Sequence, residues 1–103
     1  SVIALSNSEK LKHLTALNLS KNNITDAGAK ALAYSKNLEK LKKLDLNFNR
    51  IGDEGALAIA QSPNFAKLES LKLGQNKIGT EGAEALNDSK NLPNLVHPVF
   101  GFY

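Results

Sequence analysis

The chain contains no cysteine, no methionine and no tryptophan among its 103 residues. Without cysteine, disulfide staples and thiolate metal sites are excluded, and a small domain that does without them is expected in the reducing cytosol. Aromatic residues make up only 6%. The apolar side must therefore be built from Leu, Ala and Ile, many medium-sized side chains in similar environments. No apolar run approaches the length of a membrane span, and Val2-Ile3-Ala4-Leu5 is too short for the hydrophobic part of a signal peptide. Charge is nearly balanced, with 13 Lys and Arg against 10 Asp and Glu and a net +3. That permits attraction to an acidic partner but does not make nucleic acid the expected ligand. The missing initiator methionine is read as a start that was processed or cut from something longer.

Catalytic chemistry is also scarce. His13 and His97 are the only histidines, and no HExxH motif, paired carboxylate motif or glycine-rich phosphate loop accompanies them. Neither enzymatic activity, nor a metal, nor a cofactor, nor a small-molecule substrate is expected.

What the chain does have is a repeat. Leu14, Leu17, Leu19, Asn22, Ile24, Gly28 and Ala29 recur 27 residues later as Leu41, Leu44, Leu46, Asn49, Ile51, Gly55 and Ala56, and again as Leu68, Leu71, Leu73, Asn76, Ile78, Gly82 and Ala83. The second half of the unit keeps the same register in Ala31/Ala58/Ala85, Leu32/Ile59/Leu86, Ser35/Ser62/Ser89 and Leu38/Phe65/Leu92. Read this way, 1–103 is one domain. It comprises a partial repeat over 1–13, full repeats over 14–40, 41–67 and 68–94, and a terminal partial repeat over 95–103.

Periodicity alone predicts the elements. Leu44-Asp45-Leu46 alternates as a strand with one buried face does. From Gly28 the small and apolar residues Gly28, Ala31, Leu32 and Ser35 return at helical spacing. Asp26, Asp53 and Thr80 stand where helix N-caps are expected, with Glu54 and Glu81 placing negative charge in the first turn. Every unit repeats the order strand, turn, helix, loop, so the strands are expected parallel on one face and the helices on the other. Asn22, Asn49 and Asn76 are expected to form a ladder whose amides satisfy backbone groups left unpaired by the turn. No single unit can bury enough surface alone, so stability must come from stacking.

The pattern L-x-x-L-x-L-x-x-N-x-I-x-x-x-G-A resembles the ribonuclease-inhibitor-like class of leucine-rich repeats. That resemblance implies an α/β solenoid with a concave parallel sheet and convex helices, acting as a non-catalytic scaffold for protein–protein interaction. Such repeats occur in inhibitors, GTPase-activating proteins, immune sensors and bacterial effectors, so a fragment of an effector or regulator, delivered into a host cytosol, is a second implied setting.

The residues between the leucines face away from the core and form the candidate partner-binding surface: Asn18, Lys43, Asp45 and Lys72 within the strands, then Lys21, Phe48 and Gln75 in the following column. These positions differ from unit to unit where the core does not. Asp45 and Lys72 share a column on adjacent strands and are expected to pair. Phe48 either anchors a partner or packs under the turn. Arg50 and Lys77 add a basic rim, which favours an acidic protein as partner.

At the ends, Ser1 aligns with Gly28, so the chain starts inside a helix, as a cut within a longer array would leave it. The first strand is then an open edge near Ala16–Ser20 that offers self-association. Val96-His97-Pro98-Val99-Phe100-Gly101-Phe102-Tyr103 reads as a terminating strand with an aromatic plug, or as a frayed tail. Three N-x-S/T matches, at Asn18, Asn23 and Asn87, are read as incidental in an Asn-rich chain. The capping-box match Ser6-Asn7-Ser8-Glu9 falls at a helix end in the repeat register and is discounted.

Overall fold

A computed structural model describes residues 2–96. Its elements follow the 27-residue register. Helix α1 (Val2–Ser6) is followed by strand β1 (Ala16–Asn18) and helix α2 (Asp26–Ala33). Strand β2 (Lys43–Asp45), helix α3 (Asp53–Ala60), strand β3 (Ser70–Lys72) and helix α4 (Thr80–Asn87) complete the order. Short 3-10 turns at Glu9–Leu11 and Lys36–Leu38 lie in the return loops.

The strands pair in parallel in the order β1-β2-β3. Leu17, Leu44 and Leu71 stand in one register file, as the repeat requires. Leu44 and Leu71 from the strands, and Leu46 and Leu73 just after them, meet Leu32, Ala56, Ile59 and Leu86 from the helices in one buried cluster. Phe65, the largest fully buried side chain, fills the column held elsewhere by Leu38 and Leu92.

Side-chain ladders tie each unit to the next. The asparagine ladder is present. Asn49 Oδ1 accepts the N–H groups of Asn22 and Ile24, both at 2.9 Å. Its Nδ2 donates to the carbonyls of Leu19, Leu46 and Asn47 at 3.0, 3.0 and 3.3 Å. Asn76 repeats the arrangement one unit on, accepting from Ile51 N–H and donating to Leu46 O. A serine ladder runs along the helix ends. Ser62 Oγ donates to Ala33 O and Ser89 Oγ to Ala60 O, each at 2.5 Å, and Ser35 Oγ donates to Ser6 O. Each hydroxyl thus satisfies a carbonyl orphaned at the end of the preceding helix.

The helix starts differ from expectation. Asp26, Asp53 and Thr80 are the first residues of their helices rather than the caps, and the capping positions are Thr25, Gly52 and Gly79, none of which makes a side-chain cap. The aspartates act one unit downstream. Asp26 Oδ1 accepts from Gly52 N–H at 2.7 Å and Gly55 N–H at 2.9 Å, while Asp53 Oδ1 serves Gly79 and Gly82 at 2.7 and 3.1 Å. A capping job normally done within one helix is carried out by the neighbour, because stacking brings that carboxylate over the next helix start.

Ser6 Oγ donates back to Ile3 O at 2.7 Å, closing α1 rather than opening a helix. Val96 N–H donates to Glu69 O, continuing the pairing that links Thr15, Lys42 and Glu69. The terminating strand and plug, including His97, Pro98, Phe100 and Tyr103, lie outside the described residues. No helix of the described residues is long and apolar enough to cross a membrane.

Candidate functional site

The side chains between the strand leucines gather on the sheet face away from the helices. Registered pairs align Ala16, Lys43 and Ser70 in one row across the sheet, and Asn18, Asp45 and Lys72 in another. These residues, with Leu17 and Leu44, line an open depression of about 420 Å³. Four of the seven candidates, Asn18, Lys43, Asp45 and Lys72, are therefore brought together in one place.

Two of those four are partly committed to the fold. Asn18 Oδ1 accepts from Ser20 N–H at 3.0 Å and Ser20 Oγ at 2.9 Å. Asp45 Oδ1 accepts from Asn47 N–H at 3.0 Å. Both turn the chain out of its strand, as short polar side chains do at such bends. Asp45 and Lys72 are register partners on adjacent strands. Exposed ion pairs join Lys30 to Glu54 at 3.6 Å and Lys12 to Glu9 at 3.7 Å, and such pairs contribute little.

The other three candidates occupy the turn rim. Lys21, Phe48 and Gln75 have φ of 60°, 58° and 58°, the left-handed region that bulky side chains rarely adopt. The turn imposes this conformation. Lys21 N–H donates to Asn47 O at 3.0 Å, Phe48 N–H to Gly74 O at 2.9 Å, and the asparagine ladder holds the next residue. None of this is visible in a sequence that puts Lys, Phe and Gln, not glycine, at the position.

Phe48 is not packed under the turn: 51% of it is exposed. The Lys21 ammonium stands 5.6 Å from the ring centroid, a cation–π contact between neighbouring units. Arg50 and Lys77, also exposed, follow along the same rim. His13 is exposed at the opposite end of the strands. Among the described residues no group of three or more His, Asp or Glu side chains is placed to hold a metal ion.

Just past the end of β1 the backbone is capped locally. Both backbone groups of Ser20 are taken by local side chains, its N–H by Asn18 and its carbonyl by Asn22 Nδ2 at 3.0 Å. Between α1 and the segment that leads from β1 into α2 lies a cavity of about 470 Å³ lined by Val2, Leu5, Leu19, Ile24 and Gly28 among others.

A family model described as Leucine Rich repeat matches residues 10–33, 37–60 and 66–86, more than half of the chain. Each matched segment opens ahead of a strand and runs into the helix that follows. No curated protein matches the chain.

Proposed function

The chain belongs to the leucine-rich repeat family, whose repeats generally mediate protein–protein interaction, and on that premise we propose that it is a non-catalytic scaffold binding another protein on its outer strand face. The 27-residue spacing and the Gly-Ala that opens each helix fit the ribonuclease-inhibitor-like subclass, in which this face is the concave side of a solenoid. The observation that carries the proposal is the contrast between the two sides of each strand. Leu44 and Leu71 are buried and constant, while Lys43, Asp45, Ser70 and Lys72 face outward and differ at every step. Fixed backbone geometry with varied side chains is how a repeat surface acquires specificity.

Lys43, Lys72, Phe48 and Gln75 supply the central contacts. Lys43, Lys72 and Arg50 favour an acidic partner, and a cytosolic setting fits a chain without cysteine. The test is a pull-down with the intact protein, followed by affinity measurement on the triple variant Lys43→Glu, Lys72→Glu, Phe48→Ala. A loss of about tenfold or more is expected, since central charged and aromatic contacts dominate binding; unchanged affinity removes this face from the interaction.

A second reading, self-association at the first end of the stack, is favoured by the mainly apolar cavity between α1 and the segment joining β1 to α2 and opposed by the capped backbone of Ser20. Light scattering over a concentration series decides between them, because a mass that stays at one chain eliminates self-association.

A further inference from the structure

Phe48 supports an inference that rests on the protein-binding reading and names the chemistry of the partner. A phenyl ring at φ 58° is a costly occupant of a turn where glycine or asparagine fits without strain. Folding gains little in return, because 51% of the residue remains exposed. Lys21 and Gln75 adopt the same φ, so the turn itself needs no aromatic. Strain without a packing gain points to a role outside the fold.

The surroundings indicate what that role is. The three turn segments, 20–24, 47–51 and 74–78, contain Lys21, Arg50 and Lys77 and not one acidic residue. All three cations are exposed, and Lys21 lies against the ring. The aspartates of the adjacent helix starts, Asp26 and Asp53, are engaged as caps of the following units.

We propose that Lys21, Phe48, Arg50 and Lys77 form the specificity element of the surface and take an extended acidic segment of a partner protein. Its carboxylates pair with the three cations, bidentately at Arg50, while an apolar side chain packs on the exposed part of the ring. An aromatic with flanking cations is the usual composition of an interface anchor.

The experiment measures fluorescence anisotropy of the intact protein with labelled octapeptides, glutamate-rich around one central Phe, Trp, Leu or Pro. Lysine-for-glutamate counterparts and a single-stranded oligonucleotide serve as comparisons. At least one acidic peptide is expected to bind, and its lysine counterpart not. Phe48→Asn is expected to lower affinity about tenfold or more while leaving the melting temperature unchanged or raised, because asparagine relieves the backbone. Phe48→Tyr keeps the ring and is expected to stay within about threefold of the parent. Arg50→Gln and Lys77→Gln each weaken binding.

Failure of every acidic peptide to bind, unchanged affinity in Phe48→Asn, or tighter binding of the oligonucleotide than of any peptide overturns the proposal. The Lys43→Glu, Lys72→Glu pair separates the two levels. If it abolishes binding while Phe48→Asn does not, the strand face binds and the rim assignment fails. If only the rim variants lose affinity, the rim stands and the strand-face site is wrong.

Discussion

Asp26 sits in the first turn of α2 but closes the first turn of α3, its Oδ1 accepting the Gly55 N–H at 2.9 Å and the Gly52 N–H at 2.7 Å. Successive helices can make this contact only because position 55 has no side chain. A Cβ there would come within 2.7 Å of both Asp26 Oδ1 and Ile51 Cγ2. Gly55→Ala is therefore expected to destabilise the protein, although alanine is the better helix former by about 1 kcal/mol. Asp26→Ala should cost about 1–2 kcal/mol, as cap removals do, and Asp26→Asn, which keeps an acceptor, clearly less. Thermal denaturation followed by circular dichroism reads these as a lower Tm, about 4–8 °C per kcal/mol for a domain of this size. A Gly55→Ala variant as stable as the parent contradicts the close approach.

Asn49 and Asn22 occupy the same column and are expected to behave very differently. Asn49 is buried and bridges two units, with two bonds accepted and three donated. Asn22 is exposed and donates to Ser20 O alone among its side-chain bonds in the described residues. Asn49→Asp preserves shape but sets a carboxylate against three carbonyls, so it should cost more than about 3 kcal/mol, because several buried groups are left unpaired. Asn22→Ala should cost less than about 1 kcal/mol. Urea unfolding of the two variants gives both values, and similar losses would show that position in the stack does not matter.

Helix α3 offers a contrast within one element. Ile59 is fully buried, whereas Leu57 is 44% exposed on the side away from the sheet. Ile59→Ala is expected to lose about 2–5 kcal/mol, and Leu57→Ala to fall within about 0.5 kcal/mol of the parent, as exposed substitutions usually do. Comparable losses at the two positions would place the core elsewhere.

The fold was legible because burial recurs at a fixed spacing. Leu17, Leu44 and Leu71 repeat every 27 residues and stack in register, and the asparagine column follows from the same count. Two features were hidden for physical reasons. The role of Asp26 depends on a neighbour that stacking supplies, and a local rule assigns an aspartate near a helix start to its own helix. The left-handed turn at Phe48 is imposed by backbone bonds to Gly74 and by the asparagine ladder, so residue type gave no sign of it. Of the candidate surface, the strand columns could be read from alternation. The split between the strand depression and the turn rim could not, because it depends on where the chain leaves the sheet.

The contribution of the outer strand face is tested most directly by photo-crosslinking. A photoreactive phenylalanine analogue replaces Lys43, Phe48 or Leu57, one at a time, in the intact protein, and each variant is irradiated with the partner retrieved by pull-down. Crosslinks from positions 43 and 48, with none from position 57 on the helix side, are predicted. Crosslinking from position 57 with positions 43 and 48 silent would contradict binding through the strand face.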